Sequence, residues 1–537
     1  MITLIRQRVR RDRAQLALWI VGTALLAGLT VVAVRQSYGS EADRVGVLAT
    51  VAANPVILLF RGLPSGSDPA AFTLFLILPF LAMLAAFMST FLAVRHTRAE
   101  EESGRGELVG ATPASRTAPL VATLIHGLAA NVLLAALVAF AFLGVGYAPG
   151  GAWVAGLAVG AAGVSFLGTG LIGGQLFRSS RAANSFGVWV LIAAFVCAGL
   201  GNAMGTPRAD LERIDSSWLT WLSPFGWAEN SRPFSDDNLW PVLLCAAFGL
   251  TLATIAIALQ SARDLGASVV AGRTGRSSAR PALASPTALV WRLTWPATVG
   301  WIAGGLVTGM LATTLAGVLK TSAEQLPSLA TILDALTRDG SIEQGGVAIF
   351  FTMLGVIAAC CGVQIVCRAR QEEANGTSEL VLTAPVARVR WLADYLVTAI
   401  AAIVLVAAAA VAGAALGLAS TADADWTLMR DALVIGAGQV AAASVFPVIT
   451  ALVFVLAPRL TIPLGWTLVM LGMILGLFGA LFGFPDWLVR LAPIGDAPTV
   501  TNDGVDLQGL WWLLLVVVAG STAALALMRG REHATDG

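Results

Sequence analysis

Apolar residues run in long blocks along this 537-residue chain, and polar residues gather in the gaps between them. A helix crosses the hydrocarbon core of a bilayer with about 20 mostly apolar residues. Twelve blocks meet that requirement. Six lie near 15–35, 70–94, 117–146, 152–177, 184–204 and 240–260. Six more lie near 296–319, 346–367, 389–418, 430–458, 461–482 and 509–528. The pattern predicts an all-α integral membrane protein with twelve transmembrane helices. The first block is too long for the apolar core of a signal peptide, and no small-residue cleavage pattern follows it, so it reads as an uncleaved span. Before it, Leu4, Ile5 and Val9 interleave with Arg6, Arg10 and Arg13, the pattern of an amphipathic helix on the inner membrane face.

Composition agrees with the bilayer as solvent. Hydrophobic residues make up 57% of the chain and charged residues 12%, against about 25% charged in globular domains. The formal net charge of +1 gives no reason to expect a nucleic-acid partner. Its distribution is more telling. With the N-terminus inside, the inner segments hold 23 of the 33 basic residues, which fixes both termini on the cytosolic side. Cys197, Cys245, Cys360, Cys361 and Cys367 lie in or beside apolar blocks without metal-binding spacing. His96, His126 and His533 are far apart in sequence, which argues against a zinc site. No metal site and no catalytic cluster is expected.

An internal repeat organises the chain. The nineteen residues from Arg98 to Arg116 align without gaps on Arg370 to Arg388, with nine identities. The shared pattern is R-x-E-E-x-x-G-x-x-E-L-V-x-x-x-P-x-x-R. A second pair, Trp218 to Gly226 and Trp487 to Gly495, recurs at nearly the same offset and carries Pro224 and Gly226, then Pro493 and Gly495. Each half holds an even number of spans, so the two are parallel pseudo-repeats. The division expected is 1–262, a Gly/Ser/Arg/Pro linker at 263–287 that includes Pro281 and Pro286, and 288–537.

Both copies of the charged pattern fall in an inner loop between the second and third spans of a half. As helices over about 99–112 and 371–384, they would set Glu100, Gly104, Glu107, Leu108 and Ala111 on one face of the first copy. Glu101, and in the second copy Glu372, Glu373, Gly376, Glu379 and Leu380, complete the two sets. Pro113 and Pro385 would stop the helices, and Arg116 and Arg388 would mark the return to the bilayer. A glycine in mid-helix costs about 1 kcal/mol relative to alanine. Its presence in both copies suggests a close approach by a neighbour.

The second copy, from Glu372 to Pro385, resembles the coupling-helix loop of ABC-2-type exporter permeases. The Pro224/Gly226 and Pro493/Gly495 segments are similar to the short re-entrant helices that this family places outside, between the fifth and sixth spans of a half. The duplicated layout, with His96 and Glu100 to Glu102 near the first loop, resembles the polyketide-antibiotic (tetronasin-type) and multidrug permeases of GC-rich bacteria. The resemblance implies a multi-pass protein of the bacterial plasma (inner) membrane that exports hydrophobic or amphiphilic compounds by alternating access. It implies docking of ABC ATPase subunits, two copies of one subunit, on the two loops. It also implies a central cavity between the halves, lined from the second and fifth spans. Candidate lining residues are Phe80, Phe87, Phe186, Trp189, Phe350, Met353, Trp466 and Met470. The first copy departs from the pattern at Arg105 and Gly106, where the second has Thr377 and Ser378.

The chain itself has no nucleotide site. A P-loop needs G-x-x-x-x-G-K-[ST], and the single lysine, Lys320, follows Leu319. The run from Leu171 to Gln175 mimics the ABC signature, but it ends an apolar span and reads as helix packing. ATP and Mg would therefore sit on the partner, and the chain is a transport subunit rather than an enzyme. Two other readings stand beside this one. A proton-coupled secondary transporter with parallel repeats would want acids at mid-membrane, where few polar groups occur: His126, Asn131, Asn184, Gln364, Asp394 and Gln439. A lipid-modifying membrane enzyme would want clustered acids or histidines, whereas Asp236, Asp237 and Asp423 are scattered.

Overall fold

The computed structural model describes residues 2–52, 55–113, 115–209, 211–264, 266–270, 278, 285–316, 342–420, 425–478, 489, 491–501 and 504–531. Pro281, Lys320, Asp423, Trp487, His533 and most of the linker lie outside them. Twelve helices are long and apolar enough to span a membrane. The protein is therefore an all-α integral membrane protein. The chain divides into two compact units, Met1–Gly275 and Arg276–Gly537.

In the first unit the spans are α1 (Ile2–Ser37), α4 (Pro69–Arg95), α7 (Ala118–Leu143), α8 (Pro149–Leu176), α9 (Ser180–Ala203) and α11 (Trp240–Ala262). Two helices absent from the sequence reading, α2 (Glu41–Ala52) and α3 (Pro55–Phe60), follow α1. The charged loop forms α5 (Arg98–Glu102) and α6 (Arg105–Gly110), and α10 (Pro224–Asn230) precedes the last span. The second unit has spans α12 (Pro286–Thr314), α13 (Ile342–Ala374), α15 (Arg388–Ala419), α16 (Leu428–Leu456), α17 (Thr461–Phe478) and α18 (Gln508–Met528), with α14 (Thr377–Leu382) in its charged loop. Among the described residues there are also two small antiparallel ribbons. Thr206–Pro207 pairs with Ile214–Asp215, and Thr499–Thr501 with Gly504–Asp506.

Small residues let these helices pack. Helix α8 is the most enclosed span of the chain. Its Gly168 meets the backbone of Gly249 on α11, where an added Cβ would come within 2.9 Å of Leu252 Cβ. In the second unit, a Cβ on Gly305 of α12 would meet the Val406 carbonyl of α15 at 2.6 Å. Without a hydrophobic drive between helices in lipid, backbone approach of this kind supplies the packing energy. The sequence mimic ending at Gln175 belongs to the same scheme. A Cβ on Gly174 would lie 2.6 Å from Thr97 Oγ1, so the run is a packing surface under the charged loop.

Two expectations change. The N-terminal amphipathic segment is not a separate helix, because α1 is continuous from Ile2 to Ser37. Arg6, Arg10 and Arg13 are exposed as expected, but Arg8 and Asp12 of the same helix are buried. The expected outer re-entrant helices also differ between halves. In the first, a 3-10 turn (Trp218–Leu222) leads into α10, which starts at Pro224. There Ser223 Oγ caps Phe225 N at 3.2 Å, and Gly226 sits against the Thr220 backbone, its virtual Cβ 2.9 Å from Thr220 Cα. In the second half, Trp487 and Leu488 lie outside the described residues, and the described part, 491–498, forms turns around Pro493 and Gly495. Ala492 stands where Ser223 stands in the first half, so the capping oxygen is missing.

Candidate functional site

The repeated loops are the most elaborated polar sites among the described residues. Each breaks at its glycine. Gly104 and Gly376 both have φ +72, a left-handed conformation that only glycine adopts without strain. An added Cβ would meet nothing within 4 Å at either one. The glycine is thus a hinge between two short helical segments, not a mid-helix point of close approach as the sequence suggested. Residues on either side of it do not share one helical face.

The break separates two kinds of residue. Before it, side chains turn inward. Arg98 donates from Nε to Gly174 O at 2.9 Å, and its Nη1 meets Glu101 Oε2 at 2.9 Å. Glu101 Oε1 takes a second guanidinium, Arg263 Nη2, at 2.5 Å. Arg263 also donates to Gln175 Oε1 at 2.6 Å, and its carbonyl accepts from Arg116 at 3.1 Å. The second loop has the same wiring. Arg370 meets Glu373 at 3.2 Å, Arg531 donates to both Glu373 oxygens at 2.9 Å, and Arg388 donates to Arg531 O at 2.7 Å. In each unit an arginine at the end of the last span thus clamps the inner acid of the motif. Glu101 and Glu373 are enclosed by these pairs, so neither is a surface carboxylate.

After the hinge, side chains turn outward. Glu107 and Glu379 are exposed, and Leu108 and Leu380 expose 73% and 75% of their surface. The same motif position thus carries an exposed leucine in both loops. Pro113, Arg116, Pro385 and Arg388 are exposed beside it.

Glu100 and Glu372 occupy the rim. Glu372 pairs with Arg368 one turn earlier. Glu100 has more partners: Arg11 at 3.2 Å, Arg8 at 3.6 Å and His96 Nδ1 at 3.2 Å. His96 Nε2 contacts Asp12, and His126 Nε2 lies 3.5 Å from the same carboxylate. Histidines that are remote in sequence are therefore neighbours, their rings 5.8 Å apart at 81°. No local pattern signals this, because the three elements meet only through helix packing.

Asn184 Oδ1 is buried without a hydrogen-bond partner among the described residues, whereas four other polar residues of the spans are held locally. Asn131 donates to Ser89 Oγ and Gly127 O at 2.9 Å. Asp394 pairs with Arg390 at 3.1 Å and accepts from Thr287 at 2.6 Å, while Arg388 is engaged elsewhere. Gln439 donates to Ile494 O at 3.2 Å, and Trp301 donates to Gln364 at 2.7 Å. Glu229, on α10 outside the spans, receives Asn202 Nδ2 at 2.5 Å. Burial pushes its carboxyl up to about 8. Of the candidate cavity residues, Trp189, Met353, Trp466 and Met470 are exposed, whereas Phe80, Phe87, Phe186 and Phe350 are partly covered. Phe87 stacks on Phe91 at 5.7 Å, and Phe186 lies tilted against Phe177 at 5.4 Å.

Comparison with known proteins gives these loops a family. The chain is 31% identical over 535 residues to the multidrug efflux system permease protein Rv1217c of Mycobacterium tuberculosis (strain ATCC 25618 / H37Rv), covering 98% of this chain and 94% of that protein. The family model described as multidrug efflux system permease Rv1217c, C-terminal domain, matches residues 8–259 and 283–529, which include both charged loops, ten of the twelve spans in full and most of α1 and α11. The chain belongs to this family of multidrug efflux permeases and is a multi-pass membrane transport protein.

Proposed function

We propose that the chain is the membrane-spanning subunit of an ATP-driven exporter of the ABC-2 type, moving hydrophobic or amphiphilic compounds, drugs among them, out of a bacterial cell. The two charged loops face the cytosol and dock ABC ATPase subunits, two copies of one subunit. ATP and Mg are held by those subunits. The observation that carries this reading is the pair of loops with one architecture: a clamped inner half, a left-handed glycine, and an outer half presenting Glu107 with Leu108 or Glu379 with Leu380.

That architecture suits force transmission. A load applied to the outer half passes the hinge to the clamped half. From there it reaches the second span of the unit through the chain itself. It reaches the last span through the Arg263 or Arg531 clamp. Buried ion pairs with paired hydrogen bonds hold their geometry well, since breaking one strands a charge. Motion of both span pairs would then alternate the access of a substrate path. Candidate lining residues are Phe80, Phe87, Phe186 and Trp189 in the first unit, and Phe350, Met353, Trp466 and Met470 in the second. The name of the M. tuberculosis relative, a multidrug efflux permease, supports drugs as substrates.

The test is copurification. Tagged and extracted from its native membranes, the chain should carry an ATPase subunit with a P-loop motif. The double variant Glu107→Lys, Glu379→Lys should lose that subunit by tenfold or more, on the order of 1.4 kcal/mol, while its own yield is unchanged. Retention of the subunit by the double variant would remove the docking claim. Substrate transport by the chain alone, abolished by a protonophore and indifferent to ATP, would favour the proton-coupled reading.

A further inference from the structure

We propose that His96 is the protonated centre of a pH-sensitive clasp that fastens the first charged loop, and only the first, to the N-terminal helix. The inference rests on the docking role of the loops for its consequence, but its geometry stands apart from it. His96 is 1% exposed and has a carboxylate at each ring nitrogen. Glu100 Oε1 lies 3.2 Å from Nδ1, and Asp12 Oδ2 is in contact with Nε2. A neutral imidazole has one N–H and one lone pair. Set between two carboxylates, it would satisfy one and repel the other. An imidazolium donates to both.

The second half supplies an independent observation. The residue 272 positions beyond His96 is Arg368, and the residue 272 beyond Glu100 is Glu372. Arg368 and Glu372 form the same one-turn pair. At the site where the second loop has a permanent cation, the first has a cation that can be discharged.

Charged groups surround His96. From α1 the cluster is faced by Asp12, Arg8 and Arg11; from its own helix by Arg95; from α5 by Glu100; and from α7 by His126. It is the carboxylate at each ring nitrogen, rather than the charge count, that calls for the proton, since Arg8, Arg11 and Arg95 already face Asp12 and Glu100. Arg95 lies 3.3 Å from Asp12 Oδ1, near enough for an ion pair though not aligned for a hydrogen bond. That guanidinium, with Arg8 3.6 Å from Glu100, opposes a divalent cation in the same space. Arg8 also closes the back of the cluster, donating to Thr123 Oγ1 and Pro119 O at 2.6 Å. A cleft of about 270 Å³ lined by Gln7, Arg8, Arg11, Glu100 and Arg105 opens beside it and gives protons a path.

The contacts made by the imidazolium go when it releases its proton. The clasp is therefore complete on the acid side and opens as pH rises, while the Arg368 pair holds throughout. The probe is hydrogen exchange on the full chain in nanodiscs without any ATPase, corrected for the intrinsic pH dependence. Between about pH 6 and about pH 9, protection of residues 98–110 should fall about tenfold, the worth of one charge-assisted hydrogen bond. Residues 370–382 should not change. His96→Arg should keep the first loop protected at both pH values, and Asp12→Asn should leave it open at both. Equal protection of 98–110 in the wild type at both pH values would overturn the clasp. So would an unchanged response in His96→Arg, or protection at high pH restored by added zinc. None of these outcomes depends on ATPase docking, so the clasp and the docking role can fail separately.

Discussion

Glu373 is wholly enclosed, and Arg531 meets both of its carboxylate oxygens. Arg531→Gln would remove two charge-assisted hydrogen bonds from a buried carboxylate that Arg370 still pairs, and should cost about 2–3 kcal/mol, read as a fall in thermal unfolding temperature. The double variant with Glu373→Gln should recover much of the loss. Glu229 gives a prediction of opposite character. Its folded carboxyl keeps its proton up to about pH 8 because burial penalises the charge, while an exposed glutamate releases it near 4.5. The folded state binds the extra proton across that window, so stability should fall as pH rises from about 4.5 to about 8. Glu229→Gln should flatten this part of the stability profile. An identical slope in the variant would show that another group is responsible. These roles were only half legible in the sequence. The acids stood out by repetition, but the partners of Glu101 and Glu373 lie 162 and 158 residues further along. Nothing local distinguishes an inward acid from an outward one, and the Asp12, His96 and His126 cluster was hidden for the same reason.

At the scale of elements, the glycine hinge decides how each loop presents its outer half. With φ +72 and open space around both Cβ positions, Gly104→Ala and Gly376→Ala test the backbone alone. Each should cost about 1–2 kcal/mol through the left-handed conformation. Asn, which tolerates that region, should cost less. Equal effects of Ala and Asn, by thermal shift and by ATPase retention, would place the glycine's role elsewhere. The loops and their repeated spacing are legible in the sequence, but the glycine there looks like a contact point inside a helix. Glycine serves both purposes, and only the torsion separates them. The capped helix after Ser223 and the turns after Ala492 are a similar case, since a single oxygen separates two segments that align.

For the whole molecule, the twelve spans were legible because 20 apolar residues are a signal that few other structures produce. The expected span near 15–35 was short only because charge at Arg8 and Asp12 concealed that α1 begins at Ile2. On the proposed topology, the bias of basic residues puts the loops on the cytosolic side. A cysteine at Ser285, the cap of α12, should react with an impermeant maleimide only from the cytosol. The same chemistry reaches the central claim through Leu108→Cys and Leu380→Cys, the two most exposed apolar positions of the loops. In inside-out vesicles both should label readily after the ATPase is stripped away, and both should be shielded when it is restored. Labelling of either cysteine in intact cells, or labelling indifferent to the ATPase, would contradict the account.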